Sequence, residues 1–293
     1  MSRKRVLAAT ILAPALLALG LPGAAQAWPF GGKKEKPAEA PAPVAAKPAP
    51  AAAVPTPREP KATAAQRAEA RRFDPLAAAA FWAREFEVDP RDAEAGIALS
   101  QALRGLGRHR DAVATSQAVL VIDPQNFNAL LENARGFIAM GQGFYAIEPA
   151  KKAASLSPRD WRPHSLLGVA YEQAQRDDEA FAAHRQAAAL APDEPAALSN
   201  LAMFQAARGD LPAAEGLLRR AVASPRVTIQ VRQNLALVVG LQGRLPEAEA
   251  LARQDLPPEM VASNMAWLKA ALAKGPPPGA GRSYQSLSQG GGL

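Results

Sequence analysis

The feature that most constrains the fold is a proline that returns every 34 residues. Pro90, Pro124, Pro158 and Pro192 keep this interval and close the phrases EVDP, VIDP, SLSP and ALAP. A fixed period of this length is typical of repeats in which one unit cannot bury its own apolar face and must stack on its neighbours. The sequence therefore predicts an array of similar units rather than one central core.

Glycines at a matching interval mark a turn inside each unit. Gly107, Gly141, Gly209 and Gly243 lie 34 or 68 residues apart, and glycine ends a helix in the left-handed conformation without a steric penalty. At the skipped position, Gln175 must make the turn. First helices are predicted near 92–105, 126–140, 160–174, 194–208 and 228–241, and second helices near 109–121, 143–155, 177–190, 211–223 and 245–253.

Divergent elements are predicted at both ends of the array. Residues 62–73 form a short helical phrase, and Asp74 followed by Pro75 is typical of the start of a second helix that runs to Glu87. At the other end, residues 257–273 are expected to form a helix that covers the apolar face of the last unit.

The segments that flank the array have compositions of their own. Residues 1–27 are typical of a secretory signal peptide, with Arg3 to Arg5, an apolar stretch and an A-x-A site ending at Ala27; a retained membrane anchor is the alternative. Residues 28–60 hold nine prolines and indicate a Pro/Ala-rich linker. The remaining prediction is a repeat domain over 61–273 and a disordered tail over 274–293.

Composition argues against several classes of function. The chain has no cysteine, which excludes disulfides, thiolate metal sites and a lipid-bearing signal. His164 and His184 fall in one unit but lack a third ligand, so we expect packing residues rather than a metal site, and no cofactor. No catalytic motif and no basic run with interleaved aromatics is present. We therefore expect no catalysis, no small-molecule substrate and no nucleic-acid partner.

The 34-residue unit resembles the tetratricopeptide repeat. Its clearest copy carries Leu167, Gly168, Tyr171, Ala180, Ala187 and Pro192 at the small and large positions of that family. The resemblance implies an all-α, right-handed superhelical solenoid of about five full repeats, a divergent N-terminal pair and a C-terminal capping helix. It also implies that protein partners bind in a concave groove lined by the first helices.

The repeat register selects the side chains that face this groove. Inward positions include Glu94, Glu132 and Ser165, and the candidate partner-binding residues are Gln101, Arg104, Asn128, Arg135, Arg162, Glu172, Asn200 and Asn234. Asn200 and Asn234 share one register position, where an amide can bond to the backbone of an extended peptide. The arginines can pair with acidic groups on a ligand. The alternative is a solvated surface with scattered charge.

One stretch narrows the family further. The phrase VRQNLALVVGLQGRLPEAEALARQDLPPE at 231–259, with Val261, Asn264 and Leu268, resembles the TadD family of tight-adherence (Flp) pilus assembly proteins. FWARE at 81–85 and LGRHRDA at 106–112 are also similar, so the resemblance covers about 73–272. It implies a periplasmic factor that acts on the pilus secretin or other machine parts, with indirect outer-membrane association. A generic cell-envelope scaffold is the alternative.

Overall fold

The structure is a computed structural model that describes residues 60–273. The predicted signal peptide, linker residues 28–59 and the predicted tail lie outside the described residues. Within residues 60–273 the secondary structure is helical and contains no strand. The helices are α1 (Ala64–Ala70), α2 (Pro75–Val88), α3 (Ala93–Gly105), α4 (His109–Ile122), α5 (Phe127–Ala139), α6 (Gly143–Leu156), α7 (Trp161–Gln173), α8 (Asp177–Leu190), α9 (Pro195–Ala207), α10 (Leu211–Val222), α11 (Ile229–Leu241), α12 (Leu245–Ala252) and α13 (Pro258–Ala273).

The helices pack in sequence order as a solenoid. Each helix from α2 to α12 contacts the next one along the chain, and α3 to α12 form five helix-turn-helix pairs. Their bounds lie within one or two residues of the predicted ones. The all-α repeat architecture predicted from the period is confirmed. None of the described helices is long and apolar enough to cross a bilayer.

Side-chain caps fix where the helices begin. Asp74 precedes Pro75, and its side chain accepts hydrogen bonds from the backbone N–H groups of Leu76 and Ala77. This start of α2 is the one that the sequence predicts. Four of the five first helices of the full pairs begin in the same way, at Asp92, Asn126, Asp160 and Thr228. Such caps satisfy backbone donors that have no partner inside the helix.

The turn inside each unit is left-handed at the predicted residue. The φ angles of Gly107, Gly141, Gly209 and Gly243 are 75°, 70°, 87° and 84°. Gln175 takes the skipped position with a φ of 58° and is the one non-glycine residue with positive φ among those described. Glycine is therefore preferred but not required at this point in the turn.

Small residues allow the paired helices to approach closely. Ala112, Ala146, Ala180, Ala214 and Ala248 share one register position and are all fully buried. Gly168 lies so close to α8 that an added Cβ would overlap the imidazole ring of His184. The close approach predicted from the repeat pattern is confirmed at this crossing.

The C-terminal end of the array is covered by α13. This helix contacts α11 and α12, and Leu268 is fully buried against them. An added Cβ at Gly240 of α11 would overlap the Leu268 side chain. The second helix of the last unit ends early, at Ala252, which gives α13 room to pack there.

Candidate partner-binding groove

The first helices of the units form the inner surface of a curved stack. Successive first helices contact one another, from α3 through α5, α7 and α9 to α11. Among the described helices, no two successive second helices from α4 to α12 make such contacts. Helices on the inside of a bend lie closer together than helices on the outside. The predicted groove therefore lies on the side of the first helices.

In three of the five full units, one register position links the unit to the one before it. Glu132, Asn200 and Asn234 occupy this position, at multiples of 34 residues. Arg104 of the preceding unit donates from Nε to Oε2 of Glu132 at 3.1 Å. Asn200 donates to Ser165 Oγ at 2.7 Å, and Asn234 donates to Ser199 Oγ at 3.0 Å. The same position thus carries an ion pair in one half of the groove and an amide–hydroxyl bond in the other.

In the N-terminal half, two sets of paired charged side chains lie within electrostatic reach of each other, and we call them together the arginine cluster: Arg104, Glu132, Arg135, Asp160 and Arg162. Glu132 is 1% exposed and lies between two cations. Arg135 Nη1 donates to Glu132 Oε1 at 2.5 Å, whereas Arg104 donates to the other carboxylate oxygen, Oε2. The cluster has three guanidinium groups and two carboxylates, so its net charge is +1.

Arg162 is the most exposed cation of the arginine cluster. Its side chain is 40% exposed, and its guanidinium donates to the Asp160 carboxylate from Nε at 3.0 Å and from Nη2 at 2.5 Å. These bonds lower the pKa of Asp160, and the charge of Arg135 lowers it further. The guanidinium also lies 5.2 Å from the ring centroid of Phe127. Arg162 is therefore held in place at the surface, where a ligand can reach it.

In the C-terminal half, the two predicted peptide-binding amides already have partners. Asn200 is partly exposed, whereas Asn234 is 7% exposed and also accepts from Gln230 Nε2 at 3.0 Å. The buried Asn234 amide links α11 to α9, so a peptide can reach it only after this contact opens. Its observed contacts are those of a residue that holds neighbouring units together.

The remaining candidates lie in different settings. Gln101 and Asn128 are exposed on the first helices, although Gln101 Nε2 lies 3.5 Å from Glu132 Oε1. Glu172 Oε1 accepts from Nε2 of the fully buried His184 at 2.6 Å. Glu172 is therefore tied to the second helix of its own unit.

The two histidines of this unit are in separate environments. His184 packs beside Phe204, with ring centroids 5.5 Å apart, and its Nδ1 has no hydrogen-bond partner. The pKa of His164 is lowered by burial, against the opposing effect of a hydrogen bond to the Pro158 carbonyl. No group of three or more metal-ligating side chains occurs within residues 60–273.

Sequence reasoning missed two contributors to the groove, Asp160 and Phe127. Asp160 caps α7 and Phe127 is the first residue of α5. The repeat pattern therefore explains both residues as helix starts and gives no sign of their contacts with Arg162. The available signal was their spacing from Arg162: Asp160 lies two residues earlier, and Phe127 lies one unit and one residue earlier.

Comparisons with known proteins identify the fold. A tetratricopeptide repeat family profile matches residues 164–196. A thermophilic tetratricopeptide protein of Thermus thermophilus superposes with a TM-score of 0.53 at 22% identity, covering 60% of this chain and 94% of that one. A tetratricopeptide repeat protein from Parabacteroides merdae gives 0.53 at 15% identity, covering 69% and 81%. No curated protein matched the sequence.

These matches identify the architecture as a tetratricopeptide superhelical solenoid. Proteins of this architecture are generally non-catalytic scaffolds that bind other proteins. The family profile falls on the α7–α8 unit, which is the unit whose residues carry the repeat pattern most completely. The fold is therefore that of a protein–protein interaction scaffold.

Proposed function

We propose that this protein is a non-catalytic periplasmic adaptor for assembly of the tight-adherence (Flp) pilus secretion machine, and that it binds an acidic, extended segment of a protein partner in its groove. The observation that carries the binding proposal is the arginine cluster. The cluster has a net charge of +1, and it places an anchored arginine at the surface. A carboxylate on the partner is the group that such a surface pairs with best.

The cluster suits recognition because its cations are already oriented. Glu132 and Asp160 hold the guanidinium groups of Arg135 and Arg162, so little side-chain entropy is lost when a ligand binds. A guanidinium has five N–H donors, and the bonds to Asp160 use only part of those of Arg162. The remaining donors can bond to a carboxylate of the partner.

Support for the pilus machine and for the periplasm comes from the sequence. The phrase at 231–259, which resembles the tight-adherence assembly family, covers most of α11 and α12 and the start of α13. Residues 1–27 have the pattern of an export signal. The partner we propose is the secretin or another component of the pilus apparatus, with indirect association with the outer membrane.

Site-specific photocrosslinking in cells tests both parts of the proposal. A photoreactive amino acid is placed at Gln101 or Asn128 in the groove, and at Gln117, which is exposed on the second helix α4, as the control. We expect adducts with pilus-apparatus proteins from the groove positions and none from Gln117. Adducts with unrelated envelope proteins would instead support a generic scaffold. Equal crosslinking from Gln117 would contradict the groove as the site.

A matched pair of arginine variants tests the chemistry of binding. Arg162→Ala is expected to weaken partner binding about 10-fold, because it removes an anchored cation from the groove. Arg185→Ala is the control, since Arg185 also lies over a phenylalanine ring, 5.5 Å from Phe181, but on a second helix. Equal affinity of the two variants in a binding titration would refute the role of the arginine cluster.

A further inference from the structure

The short helix α1 is attached to the array by charged contacts more than by apolar packing. It has seven residues, and only Ala70 among them is buried. Arg67 is its main anchor. This side chain donates from Nη2 to Glu85 Oε2 at 2.6 Å and to Asp92 Oδ2 at 2.7 Å, and from Nη1 to Glu94 Oε2 at 3.2 Å.

The surface beneath α1 is an acidic cradle made of Glu85, Asp89, Asp92 and Glu94. Glu85 comes from α2 and is 1% exposed, and the other three lie at the end of α2 and the start of α3. Besides the contacts of Arg67, Arg71 pairs with Glu94, and Lys61 Nζ lies 2.5 Å from Asp89 Oδ2. The cradle and the segment that occupies it therefore have opposite charges.

Helix α1 fills only about half of its place in the repeat. The turn that follows it lies one period before the turn after α3, so α1 corresponds to a first helix. The first helices of the full units have 13 residues, whereas α1 has seven. A cavity of about 450 Å³ remains beside it, and Lys61, Arg67, Arg71, Asp92 and Glu94 are among its lining residues. The short helix therefore leaves part of the cradle surface open to solvent.

We infer that the acidic cradle is a second docking site, which accepts a basic helix of a protein partner with two arginines one turn apart, and that α1 is its resident occupant. Arg67 and Arg71 are spaced i, i+4 and both reach Glu94, so they show the arrangement that the cradle recognises. This site has the opposite charge to the arginine cluster, so the inference does not depend on the proposed function of the groove.

Exchange of one basic helix for another is physically feasible at this position. A partner arginine that replaces Arg67 keeps the buried Glu85 carboxylate paired, so no uncompensated charge is left behind. An isolated helix as short as α1 is not stable in water and unfolds once it is displaced. The chain entropy regained by the released segment partly offsets the cost of removing it.

A peptide added in trans tests the inference on the full-length protein. The probe is a fluorescent peptide of residues 60–73, titrated by anisotropy into wild type and into Arg67→Ala/Arg71→Ala. We expect the variant to bind the peptide at least about 10-fold more tightly than wild type, because its own α1 no longer competes. Equal affinity for the two proteins, or no binding to the variant, would overturn the inference.

Three controls define the chemistry of the interaction. A peptide with both arginines replaced by alanine is expected to lose binding, and a protein variant that also carries Glu94→Ala is expected to bind the unaltered peptide more weakly. The third control is the protein variant Arg72→Ala, which removes an exposed neighbouring cation. It is expected to bind the peptide with the same affinity as the wild-type protein. Binding that survives removal of the peptide arginines would contradict recognition by the cradle.

Hydrogen exchange of the unaltered protein provides a test that needs no variant. Exchange is compared at about 0.1 M and about 1 M NaCl, where charges are screened over about 10 Å and about 3 Å. Amides of α1 are expected to exchange faster at the higher concentration, while those of α3 stay unchanged. Equal protection of α1 and α3 at both concentrations would show a permanently fixed cap and would overturn the inference.

Discussion

The two halves of the groove share one backbone register but use different bonds between units. Around Glu132, an ion pair to Arg104 joins two units, and Arg135 of the same helix pairs with the same buried carboxylate. Around Asn200 and Asn234, units are joined by neutral amide–hydroxyl bonds. The repeat therefore fixes where a side chain points but leaves its chemistry free. Charge is concentrated where we propose that a partner binds, and the neutral bonds lie where the units hold each other.

The largest effect on stability is expected when Glu132, in the N-terminal half of the groove, loses both of its arginine partners. Arg104→Ala/Arg135→Ala leaves the Glu132 carboxylate buried without a counter-charge, which we expect to lower the free energy of unfolding by about 3–5 kcal/mol. Urea denaturation monitored by circular dichroism measures the change. Adding Glu132→Leu removes the buried charge and is expected to restore most of the loss. If this third substitution has no effect, buried charge is not the cause of the destabilisation.

Helix packing at the boundary between the halves is expected to be the next most sensitive feature. Gly168→Ala places a methyl group against the His184 ring and is expected to cost about 1–3 kcal/mol. Gly216→Ala in α10 is the matched control, because an added Cβ there meets nothing within 4 Å. That change is expected to stabilise the helix by about 0.5–1 kcal/mol. Equal thermal shifts for both variants would contradict the close approach of α7 and α8.

A smaller effect is expected when one neutral bond of the C-terminal half is removed. Asn234→Ala leaves the Ser199 hydroxyl without this partner and is expected to cost about 1 kcal/mol. Because neither group is charged, the loss is expected to be the same at low and high NaCl. A loss that shrinks with salt, measured by urea denaturation, would remove the distinction between the two halves.

The smallest effect concerns an ionic network outside the groove, between α10 and α12. Hydrogen bonds from Arg244, then from Gln242 and Arg219, lower the pKa of Glu215 to about 2. A carboxyl with a lowered pKa in the folded state contributes stability above its unfolded pKa, near 4.5, and loses it as pH falls toward 2. Arg219 and Arg244 are 48% and 40% exposed, so screening limits the contribution to about 1 kcal/mol or less.

Glu215→Gln tests this pH dependence. The variant is expected to melt below wild type at pH 7, and the difference is expected to disappear as pH falls from 4.5 to about 2. Thermal melts across this range measure it. A constant difference at every pH would mean that Glu215 acts through packing rather than through its charge.

The fold was predictable from the sequence because its signals repeat. The prolines, turn glycines and small alanines each recur at one interval. Where one signal is missing from a unit, the same signal in the other units still predicts the helix bounds there. The bonding within the groove was less predictable, because it depends on contacts between units. Register placed Asn234 in the groove, but its burial follows from the close packing of α9 and α11. Likewise, the pairing of Glu172 with His184 arises between two helices of one unit.

The five turns inside the units form a natural substitution series. Four contain glycine and one contains Gln175, yet the residue after the turn makes the same bond in each case. Arg108 N donates to Leu103 O and Arg176 N donates to Tyr171 O, both at 2.9 Å. The flanking helices therefore impose the turn geometry, and glycine only lowers its cost, by about 1 kcal/mol. We therefore expect a mutation at this turn residue to change the stability of one unit while leaving the packing of the adjacent units unchanged.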